Sequence, residues 1–180
     1  MIKSLLKETH RRQIAVIASD FDRTLVARHS GGVLRAELVE AFAECISAEF
    51  EQFVESAGVP VYVVTFSDAT SADWAAKKRG IPRKEVLGGE ELVRRVTAFR
   101  RRQTWEVEQV FGAYPPNHPG MPDGKTFHLE RVREVSGVRK EQILLIDDDI
   151  YNCQKAREEG YQALHVSGRQ GFRLDSLVWM

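Results

Sequence analysis

Residues 14–18, 59–65 and 143–146 are three short runs of aliphatic, largely β-branched residues, and each gives way at once to a carboxylate or ends on a hydroxyl. None shows the polar–apolar alternation of a half-solvated strand, so each reads as a strand buried on both faces. Strands of that kind need a helical layer above and below them, and helix-periodic segments do separate these three. The fold class expected is therefore α/β, a three-layer doubly wound parallel sheet with right-handed crossovers.

The segments between the runs fill in that plan. Leu34, Leu38, Phe42, Cys45, Ile46, Phe50, Phe53 and Val54 recur at helical spacing and predict one helix over 34–57, stopped by Gly58. A second helix is expected from a cap at Ser67 or Asp68 to about Arg79. Residues 85–87 predict a short strand closed by Gly88 and Gly89, and the charged stretch 90–111 a helix. Pro115, Pro116, Pro119, Gly120, Pro122 and Gly124 mark irregular chain. Helices are expected over about 127–135 and from Asp149 to about Glu159, with a last strand at 163–166.

Charge narrows the partners. Lys plus Arg (26) balance Asp plus Glu (26), so no global field draws the chain to nucleic acid or an anionic membrane, and electrostatic recognition must be local. Cys45 and Cys153 form no CxxC pair, which argues against a disulfide framework or structural zinc. The first residues are too briefly apolar for a signal peptide, and no window is long enough for a membrane span. A cytoplasmic location is expected.

In an open parallel sheet the active site lies at the carboxyl ends of the strands. The residues there are Asp20, Thr65 and Asp147, so carboxylates and a hydroxyl gather on one edge. Asp20-Phe21-Asp22-Arg23-Thr24-Leu25-Val26 resembles the DxDxT signature of the haloacid dehalogenase-like superfamily. Val63-Val64-Thr65, Gly124-Lys125-Thr126 and Leu145-Ile146-Asp147-Asp148 match its remaining signatures in order, and Asn152, Ala156 and Gly160 repeat a spacing often seen after the acid pair. The resemblance runs from about residue 13 to 170.

That resemblance implies a phosphohydrolase. Asp20 would be the nucleophile and Asp22 the general acid and then base, with Thr65 and Lys125 stabilising the phosphoryl oxygens. Mg²⁺ is the implied cofactor, held by Asp20, Asp147 and Asp148 and by the backbone carbonyl of Asp22. An acid at position 22 implies phosphatase or phosphomutase chemistry, because dehalogenases of the superfamily lack it. Arg23, Thr24 and Ser67 are expected to contact substrate. Arg23 stands where many members have Gly, and either crowds the loop or meets a phosphate.

The chain is read as a single domain over 1–180, with a small helical and loop insertion at about 88–124 and no full cap domain. Capless members often act on large substrates, so a phosphoprotein or nucleic-acid end is the expected substrate. The alternatives are a small metabolite under a lid from a partner, and a non-catalytic phosphate-binding module. Taken singly, the other polar features have plainer readings. Asp149 is a helix cap. His10, His29, His118, His128 and His165 are surface or strand-end residues, with His118 alone in a loop that could touch substrate. The runs at 77–79, 94–95 and 100–102 are solvated helix faces, and Trp74, Trp105 and Trp179 are packing residues. Leu174, Leu177, Val178 and Trp179 either dock on their own core or meet a partner, and oligomeric state is left open.

Overall fold

Side chains of the central strands divide by parity between two helical layers. The computed structural model describes all residues except 100–103, 115, 116 and 119, so the Arg100–Arg102 run and Pro115, Pro116 and Pro119 lie outside the described residues. Its strands are β1 (Val16–Ser19), β2 (Val33–Arg35), β3 (Val61–Val64), β4 (Val86–Gly88), β5 (Val107–Phe111), β6 (Ile143–Asp147), β7 (Gln162–Val166) and β8 (Leu177–Trp179). Its helices are α1 (Ile2–Arg11), α2 (Val39–Ala43), α3 (Ala48–Ala57), α4 (Ala69–Arg79), α5 (Gly89–Ala98), α6 (Thr126–Ser136) and α7 (Ile150–Glu158).

The main sheet runs β5-β3-β1-β6-β7-β8, parallel except for β8. Ile17, Val61, Val63, Leu144, Ile146, Leu164 and Val166 face the layer formed by α1, α2, α3 and α5. Val16, Ala18, Tyr62, Val64, Ile143, Leu145 and Ala163 face α6 and α7. Each fully buried Val, Leu or Ile among them stabilises the fold by about 1.5–3 kcal/mol. The three-layer doubly wound arrangement expected from the sequence is the one the chain adopts.

Several elements differ from expectation. The single helix predicted over 34–57 is a short strand, a 3₁₀ turn and two helices, because the chain breaks at Ser47. That serine caps α3 by accepting from Phe50 N at 3.1 Å and donates to Phe172 O at 2.5 Å. The helix predicted over 90–111 ends at Ala98, and Val107–Phe111 is the edge strand β5 of the main sheet. Within the segment 88–124, then, a large part belongs to the central layers. The predicted strand at 85–87 exists as β4, but it pairs antiparallel with β2 in a separate two-stranded sheet against α4. Residues 177–179 dock on their own sheet, as β8 beside β7. Among the described residues no helix is long and apolar enough to cross a membrane.

Candidate active site

Sheet order sets the site. β1 lies between β3 and β6, so the chain turns away in opposite directions on its two sides, and a crevice opens at the carboxyl ends. Asp20 N donates to Ile146 O at 2.8 Å, which fixes Asp20 beside Asp147, the last residue of β6. Thr65 follows β3 on the other side, with its own N–H donating to Phe111 O at 3.0 Å. Asp20, Thr65, Asp147 and Asp148 thereby line one cavity of about 570 Å³, together with Asp22, Arg23, Ser67 and Lys125.

Lys125 reaches this cavity from the start of α6. Its side chain is 1% exposed, and Nζ stands 2.5 Å from Asp20 Oδ1 and 2.9 Å from Asp147 Oδ2. The loop before it is held by Tyr114, whose hydroxyl donates to Gly124 O at 3.1 Å. Burial alone would push the ammonium toward neutrality, but the Asp147 and Asp20 carboxylates outweigh it and hold Lys125 above its ordinary range. Burial pushes Asp20 and Asp147 up to about 6 each, and the attraction of Lys125 offsets only part of that rise. Asp148 is raised too, by burial and then by Asp147.

Asp20, Asp147 and Asp148 each offer a carboxylate oxygen within 4.8 Å of the others. Two buried acids and a half-buried third beside one ammonium leave excess negative charge, and an oxygen-only donor set suits a hard divalent cation such as Mg²⁺. The residues therefore fit the implied ion. Asp147 is oriented for it by Asp149 N at 2.9 Å from Oδ1 and by Asn152 Nδ2 at 3.2 Å from Oδ2. Asp149 also caps α7 through Tyr151 N, as expected.

The Asp22 side chain is not part of that acid cluster. Its Oδ1 accepts from Ser30 N at 2.9 Å, its Oδ2 accepts from Ser30 Oγ at 2.8 Å, and His29 Nδ1 lies 3.0 Å from Oδ2. The chain turns sharply between these residues: Arg23 has φ 55, a left-handed conformation costing a non-glycine residue roughly 1–2 kcal/mol. Arg23 still lines the cavity, so the turn accommodates it.

No model of a known family matches the sequence, and no curated protein matches it. Solved structures do resemble it. The chain aligns over 97% of its length with 27% of the DsGPDH of Dunaliella salina, at 15% identity and a TM-score of 0.49. It aligns over 91% of its length with 89% of a haloacid dehalogenase-like family hydrolase from Streptococcus pneumoniae, at 18% identity and a TM-score of 0.44. A 3-deoxy-D-manno-octulosonate 8-phosphate phosphatase from Moraxella catarrhalis, solved with magnesium and phosphate ions, aligns over 70% of its chain and 88% of this one, at 14% identity and a TM-score of 0.38. The chain thus spans about a quarter of the first of these and most of the other two. What the site can do is read from its own side chains.

Of the expected substrate contacts, Thr24 lies away from the cavity and Ser67 on its wall. Thr24 is fully buried and outside the cavity lining; its Oγ1 has no hydrogen-bond partner, and its carbonyl accepts from Phe172 N at 2.9 Å. Ser67 lines the cavity, but its hydroxyl is engaged by backbone: it donates to Gly32 O and accepts from Gly89 N at 2.8 Å. Ser67 is a latch between loops. His128, expected at the surface, is buried in α6, and burial pushes it down to about 4. His118 stacks on Tyr114 at 4.6 Å and does not line the cavity. Trp74, expected to pack, is 63% exposed under the Lys78 ammonium.

Sequence reasoning missed His29 and Ser30. The only signal was spacing: a short loop returning from Asp22 to a hydroxyl and imidazole just before Gly31-Gly32, where the chain can double back.

Proposed function

We propose that this chain is a Mg²⁺-dependent phosphomonoesterase in which Asp20 attacks phosphorus. The observation carrying this reading is the clustering of Asp20, Asp147 and Asp148, the first two paired with the buried ammonium of Lys125, in a cavity that also holds Asp22 and Thr65.

Lys125 binds Asp20 Oδ1, which leaves Oδ2 to approach the phosphorus. The bond from that oxygen to phosphorus forms as the bond to the leaving oxygen breaks, and Asp22 gives its proton to the departing alkoxide. Asp22 then takes a proton from a water molecule, which attacks the aspartyl-phosphate, releases inorganic phosphate and restores Asp20. Thr65 Oγ1 accepts from Ser67 N at 3.1 Å, so its own hydrogen is available to a phosphoryl oxygen. A bound Mg²⁺ supplies positive charge against the repulsion between these carboxylates and the phosphate, which at about 4 Å is roughly 4 kcal/mol per pair of unit charges at an effective dielectric near 20.

For substrate, an exposed phosphate on a large molecule is the reading favoured. The exposed His29 and half-buried Arg23 border the cavity, where a large molecule could reach them. The test is phosphate release from 4-nitrophenyl phosphate, with a panel of phosphopeptides, 3′-phosphorylated oligonucleotides, sugar phosphates and free nucleotides. Activity is expected to need Mg²⁺, to vanish with EDTA and in Asp20→Asn, and to favour the polymers. No release from any ester would end the phosphatase reading. Preference for sugar phosphates would replace the macromolecular substrate with a metabolite.

A further inference from the structure

Both oxygens of the Asp22 carboxylate are held by a single residue. Ser30 donates its backbone N–H to Oδ1 at 2.9 Å and its hydroxyl to Oδ2 at 2.8 Å. The direction of the second bond is dictated locally. Gly32 N donates to Ser30 Oγ at 3.1 Å, which occupies a lone pair and leaves the hydroxyl hydrogen to Asp22. The same grip is tied to the opposite side of the cavity. Ser67 Oγ donates to Gly32 O, and Ser67 N donates to Thr65 Oγ1 at 3.1 Å. An unbroken chain of contacts thus runs from Thr65 through Ser67, Gly32 and Ser30 to Asp22.

We infer that Ser30 is the positioning residue for proton transfer by Asp22: it locks the plane of that carboxyl group and references it to the hydroxyl of Thr65. This rests on the phosphomonoesterase reading above and adds to it a residue that touches neither substrate nor cation. An aspartate has two free side-chain torsions, and on a loop past the end of β1 nothing in the strand restrains them. Ser30 supplies the restraint, with His29 Nδ1 3.0 Å from Oδ2 as a flanking contact. A proton donor displaced by an ångström loses much of its effect on the transition state, and general acid catalysis is typically worth about 10²–10⁴-fold.

The consequence is selective. A nitrophenolate leaves without a proton, whereas an alkoxide does not. The measurement is kcat/KM with 4-nitrophenyl phosphate and with 2-phenylethyl phosphate, because kcat/KM reports only the steps through departure of the leaving group. Ser30→Ala is expected to lower the alkyl value at least about tenfold more than the aryl value, and Ser30→Thr, which keeps the hydroxyl, to recover most of the loss. In an Asp22→Asn background, Ser30→Ala is expected to have no further effect on the alkyl ester. Equal losses on both esters, no loss, failure of Thr to recover it, or an additive effect in the Asp22→Asn background would each overturn the inference while leaving the phosphatase reading intact. A wild-type chain that releases phosphate from neither ester would overturn both.

Discussion

At the scale of residues, the centre of the molecule is one ammonium serving too many acids. Lys125 neutralises one unit of charge, while Asp20, Asp147 and Asp148 can carry three. Burial holds Asp20 and Asp147 at about 6, against an ordinary value of 3.8. The folded chain therefore binds more protons than the unfolded chain between those values. The stability these two groups contribute is complete below 3.8 and is lost as pH rises through about 6. A divalent cation binds the ionised form and offsets that loss. The rise in unfolding temperature on adding Mg²⁺ is thus expected to be larger at about pH 7 than at about pH 5. Thermal unfolding with and without the ion checks this, and an equal or smaller rise at the higher pH would contradict it. The acids and Lys125 were legible in the sequence because each abuts a strand end or a glycine-marked loop. Ser30 and His29 were not, since their partner lies seven or eight residues back, across a turn whose path no pattern specifies. The hydroxyl bonds of Ser67 were not legible for the same reason: its partners, Gly32 and Gly89, are far away in sequence.

At the scale of elements, the loop after β3 carries the heaviest constraint. Thr65 and Ser67 sit on it, and Gly112, just past β5, passes so close that an added Cβ would lie 2.1 Å from Ser67 O. Nothing but glycine fits there without moving backbone. Gly112→Ala is expected to destabilise the chain by roughly 1–3 kcal/mol, the usual range for overpacking, and to lower turnover in the fraction that remains folded by shifting Thr65. Urea denaturation and turnover at a temperature well below unfolding measure the two effects separately. An unchanged midpoint with unchanged turnover would show that the loop yields freely. Strands buried on both faces were readable from their unbroken apolar runs, and α4 from its Asp68 cap and Gly80 stop. β5 was not, because Glu108 and Gln109 interrupt it and extend the charged pattern of α5. β2 and β4 are three residues each, and their pairing joins segments some fifty positions apart. Local pattern carries no information about a contact of that kind.

At the scale of the whole molecule, sheet order turns four separated segments into one site. β1 between β3 and β6 brings Asp20 within reach of Asp147 on one side and Thr65 on the other, and α6 returns across the sheet to deliver Lys125. A chain with balanced charge overall can still concentrate acids at one rim, so net charge was silent about the site. The alternation of buried strands and helices was sufficient to predict the three layers. The small β2–β4 sheet beside the cavity was not predicted, and it anchors the loop that carries Ser30. The central claim is that phosphorus becomes bonded to Asp20. Asp22→Asn, which removes the base for the second step, is the variant in which that bond should persist. Acid quenching of this variant within milliseconds of mixing with 4-nitrophenyl phosphate and Mg²⁺, followed by peptide mass spectrometry, tests the claim most directly. The expected result is a phosphorylated peptide with the phosphate on Asp20. Turnover by the wild-type chain with no phosphorylated peptide in the variant, or with phosphate on another residue, would contradict it.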